Sequence, residues 1–179
     1  MDDLSREPQR LILVEGQSDR IAVETLAARR GRDLEAEGVE VMSIGGAQAI
    51  ARALRGVAAV RVAGLYDVAE ERAVLRGLDR AGVSPDGFFA CVPDLEGELV
   101  RALGPERMLA LVEGRGQLAA FTTYRKQPAQ RAKPLEAQLH GWLHNWKIRY
   151  AAPLVEALDL ERVPEPLDRV LAYVGDASA

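Results

Sequence analysis

Short apolar runs alternate with longer amphipathic stretches through the first hundred positions. Runs at 11–14, 39–44, 61–66 and 88–92 are bounded by Gly, Asp or Pro, and their length and branching predict buried strands. The intervening stretches predict helices. One is capped at Ser18 and runs to about Arg30, stopping at Gly31. Others cover 47–54, 69–81 and 95–103, the last with Leu95, Leu99 and Leu103 on one stripe. Four strand–helix units with nearly continuous apolar strands predict an α/β fold whose parallel sheet is sandwiched by helices.

The pattern changes after position 104. Residues 117–132 are polar and basic and contain Pro128, which predicts a loop with short helical turns. Pro134 is placed to open a helix in which Leu135, Leu139 and Trp142, with Trp146 beyond, form a core-facing stripe. A further helix starts at Ile148, is interrupted at Pro153 and resumes through Leu158; a last one covers 166–174, with a frayed tail from Gly175. The chain therefore divides into an α/β core over 1–104 and a helical extension over 105–179 packed on it.

At 179 residues and 48% apolar content the chain can bury one α/β core with a small addition. No apolar run approaches the roughly 20 residues of a membrane span, and the charged start MDDLSREPQR lacks an apolar signal core, so a cytoplasmic protein is expected. A single cysteine, Cys91, excludes an internal disulfide and a thiolate-rich metal cluster. Only Lys126, Lys133 and Lys147 are lysines and none follows glycine, so the chain carries no phosphate loop of the GK[ST] type.

The net charge of −4 conceals an uneven distribution. Residues 1–104 hold 13 basic and 18 acidic side chains, residues 105–150 hold 8 basic and 3 acidic. Five of the nine aromatics fall within 121–150. A basic, aromatic-rich stretch beside an acidic body suits a polyanion held near a metal centre; the plainer alternative is a solvated helical face with aromatics in the core.

Three strands are followed by carboxylates, Glu15, Asp67 and Asp94, and a parallel sheet would gather them at one edge. Asp19 and Glu96 lie close to two of them in sequence. Crowded carboxylates repel unless a cation neutralises them, and hard oxygen donors select Mg²⁺ or Mn²⁺, with Ca²⁺ as a non-catalytic occupant. Glu136, His140 and His144 recur every four residues on one helix face. No glutamate occupies 141 or 143, so the metalloprotease motif is absent and the triplet is assigned a structural or solvated role.

The segments LILVEGQSD, GLYDVAEE and CVPDLEGEL together resemble a Toprim domain, most closely the Toprim region of OLD-family (overcoming lysogenisation defect) nucleases. Glu15 matches the glutamate after the first strand, and Asp67 the first acid of the later Asp-x-Asp, whose second position is here Ala69. The OLD-like pattern supplies instead an Asp-x-Glu, matched by Asp94 and Glu96, and an extra acid matched by Asp19. A lysine before an Ile-Arg-Tyr run in those regions joins the metal site, and Lys147 matches it.

The resemblance implies a DNA nuclease using one or two divalent metals held by Glu15, Asp19, Asp67, Asp94 and Glu96. Asp67 and Asp94 are the expected shared ligands. Glu15 has general base as its alternative role, and Lys147 would neutralise the transition state. Arg125, Lys126, Arg131 and Lys133 are the expected nucleic-acid contacts. OLD nucleases join this module to an ATPase, and none is present in these residues. The alternatives are thus a conditionally active subunit that binds nucleic acid or a separate ATPase, and an RNA-processing Toprim nuclease.

Overall fold

A computed structural model describes residues 10–57 and 61–175. The charged N-terminal stretch through residue 9 and the tail beyond Gly175 lie outside the described residues. In the first strand, β1 (Arg10–Val14), Leu11 and Leu13 enter one apolar cluster and Ile12 and Val14 another. This period of two places apolar side chains on both faces, which explains why the strand reads as an unbroken apolar run. The same holds for β4 (Phe88–Cys91), whose Phe88 and Phe89 go to opposite clusters.

With β2 (Val39–Ser43) and β3 (Arg61–Asp67) these strands form one sheet in the order β2-β1-β3-β4, every pairing parallel. Gly64 in β3 marks a close approach: a Cβ there would lie 2.5 Å from Phe88 Cε1 and 2.9 Å from the Leu13 carbonyl oxygen.

The Leu11–Leu13 face is covered by a short helix α2 (Ile50–Ala53) and by α3 (Glu71–Ala81), whose Val74 and Leu78 are fully buried. The opposite face carries α1 (Gln17–Arg29) and most of the C-terminal helices: α4 (Leu95–Gly114), α5 (Leu118–Arg125), α6 (Leu135–Leu143), α7 (Lys147–Glu156) and α8 (Glu165–Gly175). Helix α8 packs directly on β3 and β4, and α7 lies along α1. Side chains from both sides of position 104 therefore share one core, in which Ile12, Phe89, Phe121, Tyr150 and Leu171 all take part. Arginines stitch the two portions together. Arg29 Nη1 donates to the carbonyls of Val155 and Leu158 at 2.8 and 2.9 Å, satisfying acceptors at the end of α7. Arg32 Nη1 donates to Leu171 at 2.7 Å.

Three local expectations are corrected and one is extended. Ser18 does not cap α1: Gly16, in extended backbone, is the N-cap, and Ser18 is buried in the first turn. The helix expected over 95–103 is present as the first part of α4; Gly104, whose φ of 76° and ψ of 164° are non-helical, breaks it, and Pro105 opens the second helical stretch that runs to Gly114. Residues 118–125 form a helix rather than a loop, with Phe121 its one buried residue. Pro153 does not interrupt α7. One backbone donor is lost there, but Tyr150, Ala151, Leu154 and Val155 bury a face that keeps the helix continuous.

Candidate metal and nucleic-acid site

All four strands are parallel, so their carboxyl ends share one edge. The chain passes from β1 outward to β2, and from β3 outward to β4 on the other side. The switch in strand order between β1 and β3 opens the crevice in which such sheets bind ligands. Glu15 follows β1 and Asp67 ends β3, which puts these two carboxylates at that crevice.

The other acids come from helix starts. Asp19 sits in the first turn of α1, where its Oδ2 accepts the Gly16 N–H at 2.8 Å. Asp94 is the extended N-cap of α4, and its Oδ1 accepts the Gly97 N–H at 2.8 Å. Glycine is required at 97 because a Cβ would lie 2.7 Å from Pro93 Cδ. Glu96, one residue into the helix, is only 5% exposed. Asp94 and Glu96 thus leave a helix N-cap and first turn, not an extended strand, and face different partners.

Those partners come from the C-terminal helices. Lys147, the first residue of α7, donates from Nζ to Glu96 Oε2 at 2.9 Å. Burial disfavours the Lys147 ammonium, but the hydrogen bond to Glu96 and the charges of Glu96, Asp94 and Asp67 outweigh it and raise its pKa. His140, on α6, places Nε2 at 2.7 and 2.9 Å from the two oxygens of Asp94. His140 is therefore partnered rather than simply solvated, and its partner is one of the expected ligands. The i, i+4 spacing with His144 drew attention to the helix face, but the partner lies 46 residues upstream and leaves no local signal.

The carboxylates strain one another electrostatically. Asp67 is pushed up to about 7, first by burial and then by Glu15, Asp94 and Asp19, with Lys147 opposing. Asp19 rises to about 6, chiefly by burial, against the Gly16 N–H; Glu96 and Glu15 raise it further and Lys147 lowers it. Beside Asp67 in the register, Cys91 is buried and its thiol is pushed far up, so it is no nucleophile.

Among the described residues no three His, Cys, Asp or Glu side chains form a ready metal cage. Asp94 and Glu96 are instead engaged by His140 and Lys147. The donor chemistry nonetheless fits a hard divalent cation: Asp19, Asp67, Asp94 and Glu96 all interact with Lys147, Glu15 interacts with Asp19 and Asp67, and burial together with these neighbouring carboxylates drives Asp19 and Asp67 toward neutrality.

Below the ordinary aspartate pKa both raised carboxyls are neutral whether the chain is folded or not, and the native state keeps its full share of stability. That share is lost progressively once the unfolded carboxyls ionise near the ordinary aspartate pKa, and the loss is complete as pH rises through about 6 to 7, where the folded forms ionise as well. The metal-free melting temperature of the parent, relative to Asp67→Asn, should therefore fall between about pH 4 and about pH 8. An equal difference at both ends contradicts it.

The four expected nucleic-acid contacts lie at the end of α5 and in the segment leading to α6, all exposed. Lys126, Arg131 and Lys133 are surface cations on that segment. Arg125 is tied down: its Nε donates to Gln138 Oε1 at 2.6 Å, and its guanidinium lies 5.8 Å from the Phe121 ring centre. Gln138 in turn donates to the Gln130 carbonyl at 2.9 Å, holding the segment against α6. The aromatics mostly face inward, with Trp142 in edge contact with Phe121 and Tyr124.

Residues 9–66 match the family model for the TOPRIM domain of overcoming lysogenization defect protein-like proteins. The C-terminal region of the Burkholderia pseudomallei OLD protein superposes with a TM-score of 0.70 at 21% identity, over 96% of this chain and 99% of that one. The corresponding region of the Xanthomonas campestris pv. campestris protein gives 0.67 at 23% identity, over 94% and 95%. The fold is that of an OLD-type Toprim region. No curated protein matches the sequence. The OLD-like likeness spans the helices after position 104 as well as the sheet, so those helices, which supply His140 and Lys147, are part of the shared fold. No helix among the described residues is long and apolar enough to cross a membrane.

Proposed function

We propose that this chain is a divalent-metal-dependent nuclease that hydrolyses DNA phosphodiester bonds. The observation that carries the reading is the electrostatic cluster of Glu15, Asp19, Asp67, Asp94 and Glu96 at the carboxyl edge of the sheet, four of which, Asp19, Asp67, Asp94 and Glu96, also interact with Lys147. These carboxylates would hold Mg²⁺ or Mn²⁺, which when bound supplies the Lewis acidity that phosphodiester hydrolysis needs. Glu15, at the mouth of the crevice, is placed to take the proton of the attacking water. Lys147 carries the positive charge that offsets the negative charge growing on the phosphate oxygens. The cations of the 126–133 segment would follow the backbone of the substrate strand.

Incubating the purified chain with supercoiled plasmid and Mg²⁺ or Mn²⁺ tests the proposal: nicked or linear product is expected. A second reading is favoured by the pairing of Asp94 and Glu96 with His140 and Lys147. In it the chain is a conditionally active subunit whose pairs rearrange only with a separate ATPase. Cleavage only after such a partner is added selects that reading.

The expected DNA contacts give a further prediction. Lys126, Arg131 and Lys133, each replaced by Ala, should weaken duplex binding and flatten its log–log salt dependence by about three units, roughly one per phosphate contact. Arg125 is better left in place because its removal frees the segment from Gln138. An unchanged salt slope moves the groove elsewhere.

A further inference from the structure

We propose that His140 is a positioning residue that orients the Asp94 carboxylate for cation binding. This rests on the metal-dependent reading above and assigns a role to a residue that the acidic motifs do not include. An ionised aspartate only accepts hydrogen bonds, so the Nε2 that approaches both its oxygens carries the proton. Neutral imidazole of that tautomer suffices, with no change of charge. Asp94 Oδ1 then receives two donors, His140 and the Gly97 N–H, and Oδ2 receives one. Together they fix the carboxylate plane between α4 and α6 and leave its remaining lone pairs for a cation.

His140 is not needed to fill space. Its side chain is about a third exposed, at 32%, beside an open groove lined by Pro93, Val100, Arg101, Pro134 and Ala137. Helix α6 is anchored instead by Gln138, Leu139, Trp142 and Leu143. What the imidazole supplies is a second donor to a group that a helix N-cap alone leaves free to rotate. Such outer partners of metal ligands typically contribute 10- to 100-fold in metal affinity or activity.

The test is calorimetric titration of Mn²⁺ into the whole chain, with metal-free melting and the electron paramagnetic resonance of bound Mn²⁺ recorded alongside. His140→Ala is expected to weaken Mn²⁺ binding about 10- to 100-fold at a nearly unchanged metal-free melting temperature. His140→Gln, which keeps an N–H donor, should recover part of the affinity. If the parent binds Mn²⁺ and His140→Ala binds it equally well, the positioning role is wrong while the metal site stands. If the parent binds no Mn²⁺, the metal-dependent reading fails and takes this inference with it. Nitrogen hyperfine coupling on bound Mn²⁺ that is lost in His140→Ala would make His140 a direct ligand and overturn the proposal. So would a large loss of melting temperature in both variants with no recovery of affinity in His140→Gln.

Discussion

Asp67→Ala is expected to lose metal-induced stabilisation and DNA cleavage together. Asp67 ends the strand beside the switch in strand order, and its carboxyl is raised first by burial and then by Glu15, Asp94 and Asp19. It is thus the acid most dependent on a cation for its ionised form. A ligand that binds only the folded chain stabilises it by about 2.7 kcal/mol at a hundredfold excess over Kd. For a chain of this length that amounts to roughly 5–10 °C in melting temperature, which the parent should gain with Mn²⁺ and Asp67→Ala should not. Without metal the variant should melt no lower than the parent, because removing the carboxylate relieves repulsion from three neighbours. Undiminished Mn²⁺ binding in Asp67→Ala would put the metal elsewhere. A lower metal-free melting temperature would mean that Asp67 serves the fold rather than a site.

The acidic half of the site is legible in the sequence because a parallel sheet converts sequence order into spatial convergence. Strands buried on both faces, such as that holding Leu11–Val14, stand out as apolar runs, and each run ends where the fold needs polar residues. Glu15 and Asp67 need no further information than that. The N-cap of α1 is harder to read, since Ser18 and Asp19 are both good capping residues. The structure uses Asp19 in the reverse direction, its carboxylate accepting the Gly16 N–H. Helix α5 is hidden because an exposed helix with one buried side chain has no apolar stripe to display. Pro153 misleads because local propensity weighs the missing donor but not the four buried side chains around it.

The basic half depends on tertiary contacts. Nothing near Asp94 announces His140, and nothing near Glu96 announces Lys147, which lies 51 residues away. Lys147 is identifiable in advance only through its resemblance to a lysine preceding an Ile-Arg-Tyr run. The fold delivers both because α6 and α7 pack on α4, and α7 also on α1. The C-terminal helices therefore act on the site in two ways: they cover one sheet face, and they bring Lys147 to the acids.

Lys147→Ala is expected to slow single-turnover cleavage by about 100- to 1,000-fold at saturating DNA and metal, as for the loss of one transition-state donor. In-line attack builds charge on the equatorial phosphate oxygens, and a cation beside them lowers the barrier selectively at that point. The Glu96 contact adds a consequence visible without DNA. Glu96 is almost wholly buried, so truncating Lys147 leaves a buried carboxylate without its 2.9 Å donor. The metal-free variant should then lose about 1–3 kcal/mol, the cost of an unsatisfied buried group, and should recover part of it when a divalent cation binds. Its metal affinity should fall little, since Glu96 is released from a competing partner. Lys147→Arg should restore the stability better than the rate, because a planar guanidinium can reach Glu96 without replacing a compact ammonium at the phosphate. Lys126→Ala and Lys133→Ala should act on DNA affinity and leave single-turnover rates at saturation unchanged. If Lys147→Ala cuts as fast as the parent while its metal-free stability drops, the lysine is a structural counter-ion for Glu96 and transition-state charge must be met by the metal ligands alone.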